Sequence, residues 1–232
     1  MTDDHSRLAD YLAFAKRHPD LFGTPEGGAE VALDPDRIAG IEAVVADRLA
    51  ARGLPRAWAR AGVGYQDPYI TVLRDAITYG DGTVTIHHRA VNPGRGSPTG
   101  AAVLPVLGRR ILLLRIFRHA TRQWHLEIPR GAREAGVAIE ETAAAETREE
   151  LGGRLRSLTD LGLVHATTGF LGTSVAVFLG ELEGYGQPQT EEGIAGVVEV
   201  ELPAFEAMIA SGEITDSFTI AAFARARLRG LL

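Results

Sequence analysis

Three glutamates in the middle of the chain, Glu146, Glu149 and Glu150, have the type and spacing to bind a metal ion. On a helix they lie at positions i, i+3 and i+4, so their carboxylates project from one face and repel one another. A cation would relieve this repulsion, and carboxylate oxygens are ligands that Mg²⁺ and Mn²⁺ prefer. A solvated acidic helix face would show the same spacing. The pattern alone therefore leaves both a metal site and a surface face open.

The segment before these glutamates is rich in arginine. Between residues 109 and 133 the single acidic residue is Glu127, and the seven arginines are Arg109, Arg110, Arg115, Arg118, Arg122, Arg130 and Arg133. Guanidinium groups bind phosphate oxygens through paired hydrogen bonds. Arginines beside an acidic helix are what a phosphate-handling site needs, although a scattered set of surface arginines is the alternative.

These side chains need a helix and neighbouring strands to hold them in place. The Ala- and Glu-rich segment Ile139–Leu151 predicts a strong helix that ends at Gly152–Gly153. Later segments predict two more helices, at residues 203–210 and 218–228. Short β-rich runs predict strands at residues 69–73, 83–88, 101–106, 111–117, 124–128, 161–165, 174–182 and 196–202. Strands on both sides of a central helix predict an α/β (α+β) fold, a mixed sheet covered by helices.

The first sixty residues have a different pattern. Apolar residues recur at helical spacing from Leu8 to Phe14 and from Ile38 to Leu49, on either side of a Gly- and Pro-rich loop. This predicts an N-terminal helical extension over residues 1–60 and a main domain over residues 61–232.

Composition narrows the classes of function. The 232-residue chain has no cysteine, which excludes disulfides, thiolate metal sites and thiol nucleophiles. Its formal net charge is −6, which counts against broad electrostatic binding to nucleic acid. The acidic start lacks the basic and apolar parts of a secretory signal, and no apolar run approaches membrane-spanning length. We therefore expect a soluble, cytoplasmic protein that binds neither nucleic acid nor membrane.

The stretch from Gly131 to Gly152 resembles the signature of the Nudix hydrolases, G-x5-E-x7-R-E-U-x-E-E-x-G-U, in which U is a bulky apolar residue. It reads GAREAGVAIEETAAAETREELG. The two align without a gap, and Glu146, Glu149 and Glu150 then stand at the three glutamates that bind divalent cations in the family.

Four positions of the signature differ in this chain. Val137 replaces the first glutamate and Ala145 replaces the arginine, while Thr147 and Gly153 stand where apolar residues are expected. In the family that glutamate and arginine interact and support the loop before the helix. Replacing both partners by apolar residues can be nearly neutral for stability. The change need not abolish activity, but it can loosen the positioning of the site or narrow the reaction.

The resemblance continues on both sides of the signature, over about residues 101–228. The run ILLLRIFRHATRQWHLEIPRG resembles the segment before the signature in the ADP-ribose pyrophosphatase branch, and MIASGEITDSFTIAAF resembles its C-terminal helix pair. Glu127 matches a glutamate of that branch near the metal, and a strand-end carboxylate paired with an arginine is the alternative. The stretch ATTGFLGT lacks the acid that the branch often carries there, which leaves the substrate open.

The resemblance implies a Nudix-type fold and the metal-dependent hydrolysis of a nucleoside diphosphate linked to another moiety, of the ADP-ribose or nucleotide-sugar type. Mg²⁺ or Mn²⁺ would be held by Glu146, Glu149, Glu150 and the backbone carbonyl of Arg130. The diphosphate would be bound by Arg115, Arg118 and Arg130. The general base would be Glu191 or Glu192, in a loop after the signature, or Glu149.

The branch also implies a homodimer in which an N-terminal segment supplies dimer and base-binding contacts. Trp58, Tyr65 and Tyr69 are candidates for stacking on a nucleobase, with packing in the core or at an interface as the alternative. Two other functions remain open. One is a catalytically weakened nucleotide-binding or sensor protein, and the other is a decapping-type enzyme, which the acidic net charge disfavours.

Overall fold

The computed structural model describes residues 4–188 and 193–232. Its contacts divide the chain into two compact units, Met1–Pro93 with Thr167–Gly172, and Gly94–Ala166 with Thr173–Leu232. We call these the first and the second unit. The division falls after Pro93, whereas the sequence predicted a boundary between residues 60 and 61.

The first unit consists of two helices and a small antiparallel sheet. Its elements are α1 (Asp4–Arg17), β1 (Glu30–Val31), α2 (Pro35–Ala50), β2 (Gly62–Gln66), β3 (Thr71–Thr78) and β4 (Val84–Val91), with short 3-10 helices at Pro19–Leu21 and Arg56–Ala59. The strand β3 pairs with β1, β2 and β4. α2 begins where the Asp34 side chain accepts a hydrogen bond from the backbone N–H of Arg37 at 2.9 Å.

One apolar core holds the first unit together. It includes Tyr11 and Phe14 from α1, Ile38 and Ile41 from α2, and Leu73 from β3. The helices predicted for the first sixty residues therefore bury their apolar faces against strands that come later in the chain. This packing places those helices and strands β1–β4 in one unit and moves the division beyond residue 60.

The second unit is built on a seven-stranded sheet. Its elements are β5 (Gly100–Leu107), β6 (Arg110–Arg118), β7 (Gln123–Glu127), β8 (Arg130–Ala132), α3 (Ile139–Leu151), β9 (Arg154–Val164), β10 (Val175–Gly184), β11 (Ile194–Glu201), α4 (Leu202–Ser211) and α5 (Ser217–Leu228), after a 3-10 turn at Pro93–Arg95. The strand order is β11-β6-β5-β10-β9, with β7 on β6 and β8 on β5. β5 and β10 are parallel and the other pairs are antiparallel.

Helices cover both faces of this sheet. Phe205 of α4 and Phe218 and Phe223 of α5 pack with the strands in one core cluster. Ala143 and Leu151 of α3 pack with strand residues in two other clusters. The predicted α/β (α+β) class with a mixed sheet between helices is confirmed. Within the described residues, no helix has the length and apolar character needed to cross a bilayer.

The helix α3 spans the residues that the sequence predicted, Ile139–Leu151. It ends at Gly152, whose φ of 59° lies in the left-handed region that favours glycine. The helix α5 has a side-chain cap, because Asp216 accepts a hydrogen bond from the backbone N–H of Thr219 at 2.8 Å.

Candidate active site

A short segment, Glu127–Gly131, connects the end of β7 to β8 and precedes α3; we call it the pre-helix loop. Its end is fixed in the sheet, where Arg130 of β8 pairs with Ala102 of β5. The carbonyl of Pro129 accepts a hydrogen bond from the backbone N–H of Val103 at 3.0 Å. The buried sheet therefore sets the position of this loop.

Two of the predicted metal-binding glutamates converge on the pre-helix loop. Glu150 is 3% exposed, and its Oε2 accepts a hydrogen bond from the backbone N–H of Arg130 at 2.8 Å. The carboxylate of Glu146 packs against Gly131 so closely that a Cβ added at this glycine would overlap it. Glycine at this position thus allows α3 and the loop to meet.

The third predicted ligand, Glu149, is arranged differently. Its side chain is 45% exposed, and its carboxylate lies 3.5 Å from the guanidinium of Arg148. Among residues 4–188 and 193–232, no three His, Cys, Asp or Glu side chains are grouped to hold a metal ion. Mg²⁺ commonly takes one or two carboxylates and fills its other positions with water and substrate oxygens. The oxygen donors of Glu146 and Glu150 beside the loop therefore fit a divalent cation without a third carboxylate.

A buried carboxylate joins two of the predicted phosphate-binding arginines. The Oε2 atom of Glu127 lies 2.7 Å from Nη2 of Arg118 and 3.0 Å from Nη2 of Arg130. Glu127 is 3% exposed, whereas the two arginine side chains are 31% and 30% exposed. The structure thus shows the arginine pairing that was the alternative for Glu127. Both cations keep solvent-accessible surface that an anionic ligand could contact.

Burial and charge act in opposite directions on this cluster. Burial raises the pKa of Glu127, but the hydrogen bond from Arg118 and the charges of Arg130 and Arg118 outweigh it, so the pKa lies below its ordinary value. Burial lowers the pKa of Arg118, and its hydrogen bond and charge interaction with Glu127 more than compensate, so its pKa is raised. The Glu127 carboxylate and the Arg118 guanidinium therefore stay ionised around neutral pH.

Arg115 is not part of this cluster. Its guanidinium stacks over the ring of Trp124, 4.9 Å from the centroid, and Trp124 contacts Phe117 edge-on at 5.5 Å. Arg115 and Arg118 are three residues apart on one strand, so their side chains leave opposite faces of the sheet. The structure brings together two of the three predicted substrate-binding arginines.

A small cleft opens beside the pre-helix loop. Its volume is about 220 Å³, and it is lined by Thr99, Gly100, Ala101, Arg130, Gly131, Ala132 and Val175. A larger cavity of about 550 Å³ lies at the other end of β5, where its lining includes Val106, Arg109 and Leu202. The small cleft is lined by Arg130 and Gly131, the two residues that Glu150 and Glu146 meet, and it is therefore the better candidate for binding a reacting group.

A sequence model of the NUDIX domain matches residues 96–218. The chain belongs to the Nudix family. The predicted family and enzyme class, a Nudix-type pyrophosphohydrolase, are thereby confirmed. Membership supports, in general terms, hydrolysis of a nucleotide-linked diphosphate.

Among solved structures, this Nudix chain is similar to one described as an ADP compounds hydrolase. The TM-score is 0.63 at 17% sequence identity, and the match covers 74% of this chain and 93% of that one. At this identity the likeness shows the fold alone. No curated protein matches the sequence.

Val137, which stands at the first glutamate of the Nudix signature, lies in a segment that Arg133 holds. Nε of Arg133 donates a hydrogen bond to the carbonyl of Val137 at 2.7 Å. The backbone N–H of Arg133 donates to the carbonyl of Thr99 at 2.9 Å. Arg133 therefore links Val137, in the segment before α3, to Thr99, the residue just before β5.

Thr147, at an apolar position of the Nudix signature, is fully buried. Its hydroxyl donates a hydrogen bond to the carbonyl of Ala143, four residues earlier on α3, at 2.8 Å. This local bond satisfies the hydroxyl, so a threonine is accepted in the core.

Sequence reasoning assigned no role to two residues that contact this region, Asp216 and Thr219. Oγ1 of Thr219 accepts a hydrogen bond from the backbone N–H of Ile128 at 3.1 Å. Oδ1 of Asp216 lies 4.0 Å from Nη2 of Arg130. The available signal was an aspartate three residues before a threonine, which is typical of a helix N-cap. That spacing predicts the cap but not the contact with a loop far away in sequence.

The other predicted residues lie elsewhere. Glu191 and Glu192, proposed as general bases, fall outside the described residues. Trp58, Tyr65 and Tyr69 belong to the first unit and are exposed, so core packing does not account for them. Stacking on a base and packing at an interface both remain as predictions.

Proposed function

We propose that this Nudix protein hydrolyses the diphosphate of a nucleoside diphosphate linked to another moiety, of the ADP-ribose or nucleotide-sugar type, with Mg²⁺ or Mn²⁺. One observation carries the proposal. The carboxylates of Glu146 and Glu150 meet the pre-helix loop at Arg130 and Gly131, within the segment that matches the family. Acidic oxygen donors and cationic side chains are thus next to each other, as a bound diphosphate requires.

The residues proposed to hold the cation are Glu146, Glu149 and Glu150, with the backbone carbonyl of Arg130. When bound, a divalent cation would polarise phosphoryl oxygens and lower the pKa of the attacking water. The hydrogen bond from the Arg130 N–H to Glu150 fixes one carboxylate relative to the loop.

Arg118 and Arg130 are proposed to bind the diphosphate. Their shared partner Glu127 fixes both guanidinium groups from the buried side. A preorganised cation stabilises charge as it develops on the phosphoryl oxygens and needs little reorganisation during the reaction. Arg115 stays a prediction, and comparing Arg115→Gln with Arg118→Gln tests it. We expect KM to rise in Arg118→Gln.

The general base is proposed to be Glu149, with Glu191 and Glu192 as the other candidates. Glu149 keeps 45% of its side chain exposed on α3, so its carboxylate can take a proton from a water molecule that enters from solvent. A base must lie within hydrogen-bond reach of the water that it activates. Single glutamine variants at the three positions are compared by kcat across pH and by Mn²⁺ affinity. The variant of the base should lose the acidic limb of the pH profile, whereas loss of a metal ligand alone should weaken Mn²⁺ binding.

The decisive experiment is hydrolysis of a panel that contains ADP-ribose, nucleotide sugars, dinucleotides and nucleoside triphosphates, with and without Mg²⁺ or Mn²⁺. We expect metal-dependent turnover of one substrate class, with kcat reduced at least about a hundredfold in Glu146→Gln and Glu150→Gln, because each variant loses a carboxylate ligand of the cation. The matched control is Glu140→Gln, which removes an exposed carboxylate from the first turn of the same helix and should leave kcat unchanged.

Other outcomes would contradict the proposal in distinct ways. Nucleotide binding without turnover across the panel would favour the sensor function that Val137 and Ala145 suggest. Equal losses in Glu140→Gln and Glu150→Gln would point to a general effect of charge on α3 and not to a metal site.

We also propose that the protein is a homodimer, by analogy with the ADP-ribose pyrophosphatase branch. The expected mass in solution is twice that of the chain. A monomeric mass in light scattering would remove this proposal and leave the catalytic one intact.

A further inference from the structure

The pre-helix loop is held from three directions. The carbonyl of Pro129 accepts a hydrogen bond from β5, and the N–H of Arg130 donates to Glu150 of α3. The third contact comes from the C-terminal helix, where Oγ1 of Thr219 accepts a hydrogen bond from the N–H of Ile128 at 3.1 Å. The loop is thus fixed by the sheet, by the glutamate-bearing helix and by α5.

Thr219 is fully buried, and its hydrogen bonds fix the direction in which its hydroxyl points. It donates to Oδ2 of Asp216 at 2.7 Å, and the same oxygen accepts the backbone N–H of Thr219 at 2.8 Å. A hydroxyl has one proton, so donation to Asp216 leaves its lone pairs for the N–H of Ile128. The other carboxylate oxygen of Asp216 lies 4.0 Å from the Arg130 guanidinium.

We propose that Thr219 is a positioning residue of the hydrolytic site and that Asp216 orients its hydroxyl for this role. The proposal rests on the proposed function. Ile128 lies two residues before Arg130, so a shift of the Ile128 peptide moves the guanidinium proposed to bind the diphosphate. It also moves the backbone that meets Glu146 and Glu150. A displacement of about 1 Å at a reacting group can cost up to about a hundredfold in rate.

Two substitutions at Thr219 separate positioning from packing. Thr219→Val keeps nearly the same shape but leaves the buried N–H of Ile128 without its acceptor. Thr219→Ser keeps the hydroxyl and removes a methyl group. If the hydroxyl matters through Ile128, serine should preserve the function that valine loses. A role in packing alone predicts the opposite order.

The matched control is Thr215→Val, which removes an exposed hydroxyl just before α5, 3.4 Å from the ring of His125. The wild-type protein and the three variants are compared by kcat and KM on the best substrate of the panel. Amide exchange of Ile128 by NMR and the dissociation constant for Mn²⁺ are measured in parallel. These two measurements do not depend on turnover.

In Thr219→Val we expect faster exchange at Ile128 and a roughly tenfold to hundredfold lower kcat. Thr219→Ser should stay within about threefold of wild type in kcat, and Thr215→Val should match wild type in every measurement. Wild-type kcat in Thr219→Val, together with faster exchange at Ile128, would overturn the proposal.

Two further outcomes keep the test decisive. If the wild-type protein turns over no substrate, the proposed function fails. The Mn²⁺ affinity of the variants then tests the positioning role of Thr219 by itself. Weaker Mn²⁺ binding in Thr219→Val but not in Thr219→Ser supports positioning, and equal binding in all variants overturns it. If Thr219→Val does not fold, Asp216→Asn takes its place, and unchanged exchange at Ile128 with unchanged kcat overturns the role of Asp216.

Discussion

Glu127 combines deep burial with two cationic neighbours, Arg118 and Arg130. Replacing Glu127 by glutamine leaves both guanidinium groups beside a neutral side chain, where they are largely shielded from water. Removing one partner of a buried ion pair is costly, because the remaining charge is left uncompensated. We expect Glu127→Gln to lower the free energy of unfolding by about 3 kcal/mol at pH 7, measured by urea denaturation.

The same substitution gives a pH dependence with a definite sign. The folded-state pKa of Glu127 lies below its ordinary value of 4.5, because its two arginine partners outweigh burial. Its stabilising contribution is therefore complete above pH 4.5 and is lost as the pH falls through the lower, folded-state pKa. The difference between wild type and Glu127→Gln should shrink below pH 4.5. Glu206→Gln, in an exposed pair with Arg227, should show little difference at any pH, and a constant gap for Glu127→Gln would contradict the assignment.

The close contact between Gly131 and Glu146 can be tested by adding a methyl group at position 131. A Cβ at this position would overlap the Glu146 carboxylate, which lies at the end of a flexible side chain. We expect Gly131→Ala to displace that carboxylate, with at least about a tenfold loss of kcat and only a small loss of stability. The control is Gly169→Ala, where a Cβ meets nothing within 4 Å. A fully active Gly131→Ala would show that the position of Glu146 has no effect on catalysis.

At the residue level, the sequence predicted side-chain types better than their contacts. The gap-free resemblance placed Glu146 and Glu150 at the metal-binding positions, and both meet the loop in the structure. Arg115 and Arg118 are predicted to bind the same diphosphate, and strand alternation puts their side chains on opposite faces of the sheet. A count of arginines contains no information about the face of the sheet on which each one lies.

Among the elements, α3 depends on a glycine at its C-terminal end. Gly152 has a φ of 59°, and a Cβ there would lie 3.0 Å from the backbone of Gly186. Gly212 ends α4 with a φ of 79° but has open space around it. A side chain in the left-handed region costs about 1–2 kcal/mol, so Gly212→Ala should lose about that much and Gly152→Ala clearly more.

These two glycine variants also differ in what they should do to the site. Thermal unfolding measures the stability loss of each, and kcat measures the effect on the glutamates. Only Gly152→Ala should lower kcat, since α3 carries Glu146 and Glu150. Equal losses of stability in the two variants would mean that the contact with Gly186 relaxes at no cost.

Element prediction succeeded where the apolar pattern is strong and failed at the edge of the sheet. The helix Ile139–Leu151 was predicted with its observed bounds. β9 extends over Arg154–Val164, whereas the sequence predicted only residues 161–165. Its first half, RLRSLTD, is largely polar, as suits an edge strand with exposed side chains, and an apolar pattern cannot find it. β8 is only three residues long and was missed for lack of length.

For the whole molecule, the sequence predicted the fold class, and its boundary after residue 60 differs from the division of the contacts after Pro93. Helical periodicity identified α1 and α2, and the strand-like runs that followed were assigned to the main domain. Leu73 and Val91 instead join the core of Tyr11 and Phe14. Such long-range pairing depends on which apolar faces meet in space, and local periodicity does not encode that choice.

The separate cores predict which residues a destabilising core substitution affects. Phe14 is 1% exposed in the core of the first unit, and Phe205 is 0% exposed in a core cluster of the second. Either phenylalanine-to-alanine change removes a large buried side chain and should lower the free energy of unfolding by about 3–5 kcal/mol.

Because each cluster contains residues of one unit only, Phe14→Ala should speed amide exchange mainly in residues 4–91. It should leave the Mn²⁺ dissociation constant near that of wild type, whereas Phe205→Ala should speed exchange around the pre-helix loop and weaken Mn²⁺ binding. Equal loss of protection in both units of Phe14→Ala, measured by hydrogen exchange with mass spectrometry, would show that the chain unfolds as one cooperative unit.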